Sequence, residues 1–135
     1  MLVYSSADGF VAGFDAETLR GAWRVDTREP VMNSPAVARD TVFAVTIAGS
    51  VWRIPLATPG EAGAVQLGVT VRAAPAPLAQ GLLVATVAGE VLWVSGPSAT
   101  PRWQVRVDGP IEQPPIVDQG LLIFLDGRGR IHAWR

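Results

Sequence analysis

Side chains able to do chemistry are few in this chain and lie far apart. His132 is the only histidine and cysteine is absent, which removes thiol nucleophiles, thiolate metal sites and disulfides together. Serines stand at 5, 6, 34, 50, 95 and 98, none of them in a Gly-x-Ser-x-Gly elbow. With one distant histidine they do not compose a nucleophilic triad. Asp126-Gly127-Arg128-Gly129 has the glycines of a phosphate loop but neither the lysine nor the helix that such a loop needs. It reads as a slightly lengthened hairpin turn, and Asp8-Gly9 as another turn. No cluster of Glu, Asn and Asp recurs in a pattern suited to a hard cation. What remains is a set of polar residues between apolar runs: Glu29 near Asn33, and Glu112 beside Gln113. Their chemistry suits hydrogen bonding to a partner rather than bond making.

The elements that would position these residues repeat. Glycines at 9, 49, 89 and 129 are spaced 40 residues apart, each between two apolar runs. A period of this length marks an array of supersecondary units. The second copy opens at Ser34-Pro35-Ala36-Val37 and runs from Thr41 through Gly49 to Trp52; the third opens at Ala74-Pro75-Ala76-Pro77 and runs from Gly81 through Gly89 to Leu92. The fourth opens at Pro114-Pro115-Ile116-Val117 and carries one extra residue between Gln119-Gly120 and Gly129, while the first enters late, at Leu2-Val3-Tyr4. The repeat units are therefore 1–33, 34–73, 74–113 and 114–135, two full and two incomplete.

Each full unit reads as four short strands. Val, Ile, Thr and Phe suit a pleated surface, and a hairpin turn needs the positive φ that glycine adopts freely. The runs Thr41 to Ile47 and Leu82 to Val87 carry no charge, as strands covered on both faces should. Trp23-Arg24-Val25-Asp26 and Trp103 to Asp108 alternate apolar with polar, as outer strands facing water should. Inner strands between neighbours and an outer strand in water predict an all-β fold, a partial β-propeller of four-stranded blades. His132 falls in the last strand, in a column with Ala12, Trp52 and Leu92, and reads as filler of an inter-blade or terminal surface.

Composition agrees. The chain has 135 residues, 49% hydrophobic, with 14 Gly and 11 Pro for frequent turns. Its 11 basic residues are all Arg and scattered singly, at a net charge of −1; nucleic acid and anionic membranes need clustered cations. The longest uncharged stretch, Ala73 to Gly89, contains Pro75, Pro77, Gln80 and Gly81 and is two strands with a loop rather than a membrane span. No basic segment followed by an apolar one opens the chain as a signal peptide would.

Asp15-Ala16-Glu17-Thr18-Leu19-Arg20-Gly21-Ala22-Trp23 resembles the tryptophan-docking signature of pyrroloquinoline-quinone (PQQ) propeller repeats, Ala-x-Asp-x-x-Thr-Gly-x-x-x-Trp. Asp15, Thr18 and Trp23 match, with Gly13 in place of the Ala and Leu19 in place of the Gly. Later copies decay: Thr58 survives in the second, where Gly63 replaces the Trp, and the third keeps Trp103 with Ser95 and Ser98 at the Asp and Thr positions. The resemblance implies that Trp23 and Trp103 dock blade against blade while Asp15 and Thr18 order the turn that delivers them. It is closest to the family's non-catalytic outer-membrane-assembly members, because the paired cysteines of many PQQ enzymes are missing. It also implies an extracytoplasmic location if the chain is part of a longer protein.

The expectation is a non-enzymatic scaffold that presents blade-connecting loops, with Glu29, Asn33, Glu112 and Gln113 as interaction residues and no cofactor. The partner is a protein or a second copy of the chain. A full ring of about eight such blades takes roughly 320 residues, so the chain is a fragment of a longer propeller or one of two copies completing a ring. The alternatives are part of a PQQ-dependent dehydrogenase whose cofactor site lies in other blades, and a sugar- or polymer-binding ring.

Overall fold

The computed structural model describes residues 1–95 and 100–135. Among these, the regular structure is strand apart from one 3-10 turn at Pro59–Glu61. Four antiparallel sheets follow one another along the chain. Blade 1 holds β1 (Leu2–Ser5), β2 (Phe10–Phe14) and β3 (Gly21–Asp26), and blade 2 holds β4 (Ala36–Ala38), β5 (Thr41–Val45), β6 (Ser50–Pro55) and β7 (Gly63–Gln66). Blade 3 holds β8 (Ala76–Leu78), β9 (Gly81–Ala85), β10 (Glu90–Ser95) and β11 (Thr100–Arg106), and blade 4 holds β12 (Ile116–Asp118), β13 (Leu121–Leu125) and β14 (Ile131–Trp134). Neighbours in sequence are neighbours in each sheet. This is the expected partial propeller, two four-stranded blades between two three-stranded ones.

Strand periodicity decides what each blade touches. In blade 2, Val42 pairs Ile54 and Ala44 pairs Trp52, while Phe43 pairs Arg53 and Val45 pairs Val51. Alternate residues point to opposite faces, so the even-numbered set faces blade 1 and the odd-numbered set faces blade 3. Val42, Ala44 and Ile54 accordingly join Val11 and Val31 in one buried cluster. Val45 and Val51 join Leu82, Val84, Leu92 and Val94 in the next. Leu83, Ala85, Val91 and Val105 join Leu122 and Phe124 in the third. A segment connecting two blades plugs each cluster with one fully or nearly fully buried residue: Val31, Val71 and Ile111, again 40 apart. Each such side chain contributes about 1.5–3 kcal/mol on burial, and the three interfaces form a linear series of nearest-neighbour contacts.

The recurrent glycines are explained by two things at once. Gly9, Gly49 and Gly89 share a φ of +88° and Gly129 has +79°. At Gly9, Gly49 and Gly89 a Cβ would also run into the backbone of the following connecting segment, at Glu29, Val69 and Val107 respectively, whereas Gly129 faces open space. The hairpin at Asp126 is not lengthened, contrary to the sequence reading. β13 and its turn lie in strict 40-residue register with β9 and its own. The displaced glycine belongs to the preceding tight turn, where Gln119 and Gly120 both have positive φ between the paired Asp118 and Leu121. Leu78 and Gly81 pair across a two-residue loop of the same length, so the Gln-Gly dipeptide has moved by one position with nothing inserted.

Candidate functional site

The hairpin turns and the connecting segments gather at one end of the blades. Each turn starts from a residue with a short polar side chain: Ser6, Thr46, Thr86 and Asp126. The side-chain oxygen of each accepts the N–H of the residue four further on, from Phe10 at 3.2 Å, Ser50 at 3.0 Å, Glu90 at 3.0 Å and Arg130 at 3.0 Å. The connecting segment then closes over the turn, with Thr27 N–H donating to the Gly9 carbonyl, Leu67 to Gly49 and Val107 to Gly89 at 2.7–2.9 Å. The next blade is tied in by Ile47 N–H to the Pro30 carbonyl, Val87 to Thr70 and Gly127 to Pro110. Repeated backbone bonds therefore fix this end in all three junctions, which satisfies the polar groups of otherwise irregular chain.

The four residues expected to interact divide into two pairs. The Glu29 carboxylate accepts the Thr46 hydroxyl at 2.5 Å, and that hydroxyl, with Ser50 behind it, holds the Glu29 carboxyl below its usual range. Asn33 is buried, donates from Nδ2 to the Val45 carbonyl at 3.1 Å, and its backbone carbonyl accepts the Ser5 hydroxyl at 2.6 Å. Both serve the junction of blades 1 and 2 from within. Glu112 and Gln113 are exposed, and Glu112 meets Arg72 of the preceding junction at 3.4 Å. Such a solvated pair contributes little to stability.

A buried polar cluster in blade 4 had no counterpart in the sequence reading. The Asp126 side chain is fully buried. Its Oδ1 accepts the Arg128 and Arg130 N–H groups, and its Oδ2 accepts Arg130 Nε at 2.8 Å. His132 Nε2 lies 2.9 Å from the same Oδ2, and its ring stacks on Phe124 with centroids 5.1 Å apart. The bond to His132 is the foremost reason that the Asp126 carboxyl lies well below the usual carboxylate range; burial opposes it, and the Arg130 and Arg128 donors reinforce it. His132 does face blade 3, as a filler should, but it also completes this cluster. Arg130 reaches on to the Asp108 carbonyl at 2.9 Å. Every polar atom of Asp126 is thus engaged in holding the last turn, in the column where the other turns use a hydroxyl.

At the opposite end, Asp15 Oδ1 accepts the Glu17 and Thr18 N–H groups and the Thr18 hydroxyl at 2.7–3.0 Å. The two Thr18 bonds, with the Glu17 bond after them, lower the Asp15 carboxyl. Leu19, where the signature has glycine, takes φ +55°, the left-handed region that costs an L-residue about 1–2 kcal/mol. Trp23 pairs across the ladder with Gly13, whose missing Cβ leaves room for the indole. The ring packs against the buried cluster between blades 1 and 2. Trp103 occupies the same register in blade 3 but is 41% exposed. It lines a groove of about 850 Å³ with Trp93, Trp134, Leu83 and Leu122. Ser95 accepts Arg102 Nε at 3.2 Å, and Ser98 lies outside the described residues. Among the described residues no three His, Asp or Glu side chains come close enough to hold a metal ion, and no helix is long and apolar enough to cross a membrane.

Four successive antiparallel blades joined head to tail, with turns and connections at one end, define a β-propeller repeat protein. The model of the family described as outer membrane protein assembly factor BamB matches residues 1–62 and 49–134. The chain belongs to this PQQ-repeat family. No curated protein matches it by sequence. Among solved structures, BamB from Moraxella catarrhalis superposes with a TM-score of 0.84 at 20% identity, over 98% of this chain and 42% of that one. Saccharomyces cerevisiae Sqt1 gives 0.82 at 12% identity, over 98% and 40%. The computationally designed Ika4 protein gives 0.74 at 13% identity, over 98% and 82%. The chain thus spans less than half the length of either natural protein but most of the designed one.

Proposed function

We propose that the chain is a non-enzymatic propeller scaffold that binds a protein partner through its blade-connecting loops. One observation carries this reading. In each connecting segment a buried residue is followed by an exposed one. The buried column is uniform, Val31, Val71 and Ile111. The exposed column is Met32, Arg72 and Glu112, an apolar side chain, a cation and an anion at equivalent places. Where the fold constrains the repeat the residues agree; where they meet solvent each blade offers different chemistry, with Met32 59% exposed and Gln113 beside Glu112. Such a rim has the mixed composition of a protein-binding surface. Membership of a family described by an assembly factor is in keeping with it.

The test pairs two measurements. A partner captured on the immobilised chain should lose at least ten-fold in affinity to a Met32→Asp, Glu112→Arg variant, which leaves every buried contact intact. It should be indifferent to Arg39→Ala at the opposite end. Equal binding of the partner by both variants would remove the rim from the reading. Saturable one-to-one uptake of PQQ with Ca²⁺ at micromolar concentration would replace the scaffold by the dehydrogenase alternative.

A further inference from the structure

Two apolar sheet faces stay open, one at each end of the series. On blade 1 the even-numbered face carries Leu2, Tyr4, Ala12 and Phe14, with Leu2 54% and Tyr4 47% exposed. Leu2 pairs Phe14 and Tyr4 pairs Ala12 across the ladder, and the Tyr4 and Phe14 rings lie 5.5 Å apart. On blade 4 the odd-numbered face carries Ile116, Ile123, Leu125, Ile131 and Ala133, with Ile131 75% and Ile116 61% exposed. Charge enters each face only at its margin: Arg24 and Asp26 of β3 pair Ala12 and Phe10 on blade 1, and Asp118 at the end of β12 pairs Leu121 on blade 4. Contiguous apolar surface of this kind on a soluble domain calls for a partner.

The register identifies the partner. Val11 shares a buried cluster with Val42, Val51 shares one with Leu82, and Val91 shares one with Leu122. Each pair is the previous one advanced by 40 residues. The next member of the first column is Ile131, on the open face of blade 4. Leu2 is the member of the second column that precedes Val42, on the open face of blade 1. The two free faces are therefore the two halves of an interface the chain already makes three times. They do not meet within one copy, since Leu2, Tyr4, Ile116 and Ile131 all stay exposed.

We infer that two copies of this chain close one ring head to tail, the blade 4 face of each packing on the blade 1 face of the other. A head-to-tail contact made twice between two copies closes under two-fold symmetry. The chain matches 42% of BamB and 40% of Sqt1, so a pair of copies spans most of the length of either natural propeller. The contact between copies has no covalent link, unlike the internal ones, so dilution separates the copies before the blades unfold. The inference deepens the scaffold reading by placing the second copy at the blade faces and leaving the loop rim free.

The experiment is sedimentation velocity on the full chain at tens of micromolar, with three samples. The parent should sediment as a two-copy species that dissociates on dilution. Ile131→Arg and Leu2→Glu, both at exposed positions, should each be monomeric, with an unchanged far-ultraviolet circular dichroism spectrum. Mixing the two variants should restore the two-copy species, because one junction of the mixed ring is then unaltered and the other sets Arg against Glu. A parent that stays monomeric, a dimer indifferent to Ile131→Arg, a failure of the mixture to associate, or a species that grows without limit on concentration would each overturn the ring. A monomeric parent that still binds a protein through the rim would overturn the ring alone and leave the scaffold standing.

Discussion

Gly49→Ala and Gly129→Ala make the same change at the same place in two copies of the turn, and the structure assigns them different costs. Both residues sit at positive φ, +88° and +79°. Alanine there costs about 1–2 kcal/mol, against which the stiffened unfolded chain returns about 0.4–1 kcal/mol. The net is about 1 kcal/mol, and at Gly129 nothing is added, since a Cβ there meets open space. At Gly49 the Cβ would collide with the Val69 carbonyl oxygen and come within 3.0 Å of its nitrogen. That segment cannot simply retreat. It is held by Leu67 N–H on the Gly49 carbonyl at 2.9 Å and Val71 N–H on the Ile47 carbonyl at 3.1 Å, and Val71 is wholly buried between blades 2 and 3. Displacing it weakens two hydrogen bonds at about 0.5–1.5 kcal/mol each and disturbs packing at about 1–3 kcal/mol. Gly49→Ala should therefore cost about 3–4 kcal/mol in urea denaturation, against about 1 kcal/mol for Gly129→Ala. Hydrogen exchange at the Leu67 and Val71 amides should rise in the first variant alone. Equal losses, or a larger loss at Gly129, would refute the argument that the connecting segment rather than the turn itself fixes the repeat glycine.

Three further expectations follow from single contacts. Trp23→Ala should cost about 3 kcal/mol, from most of an indole area of about 150–250 Å² at about 25 cal/mol per Å²; an unchanged denaturation midpoint would show that the ring does not dock blade 1 to blade 2. Leu19→Gly should stabilise the chain by up to about 1 kcal/mol, since it relieves a left-handed residue with little packing to lose; the midpoint would move up, and a fall would contradict the strain. Glu29 and Asp126 have carboxyls held below their ordinary values of 4.5 and 3.8. Their contribution is complete above those values and is lost as pH falls through the depressed folded ones. Urea midpoints measured from pH 7 to pH 3 should fall, and a Glu29→Gln, Asp126→Asn chain should show a shallower fall from a lower start.

The fold was legible because backbone demands recur in a repeat. The turn glycines, the uncharged central strands and the alternating outer strands each state a local constraint that the structure meets at the same place in each blade. What the sequence could not display is which side chains an adjacent unit covers. Asn33 reads as a polar loop residue, yet the Val45 carbonyl of the next blade draws it inside. Trp23 and Trp103 read alike, yet the first packs against the cluster between blades 1 and 2 while the second is 41% exposed. The Asp126 cluster was hidden by alignment. Matching Gln119-Gly120 to Gln80-Gly81 moved the register by one and removed Asp126 from the column of Ser6, Thr46 and Thr86, where its role as a turn cap would have been visible.

The hydrogen bonds that lock each turn come from residues made later. Gly9 waits for Thr27, Gly49 for Leu67 and Gly89 for Val107, so a blade emerging from a ribosome stays unsealed until the next connection has followed it out. The three links in the other direction, from Ile47 to Pro30, Val87 to Thr70 and Gly127 to Pro110, let each finished segment receive the unit that comes after it. At about 5–20 residues per second, the delay between a turn and its seal is on the order of seconds. The molecule is built in one direction of time as well as one direction of chain, and a pause in translation placed between turn and seal would hold a half-formed blade open to whatever meets it first.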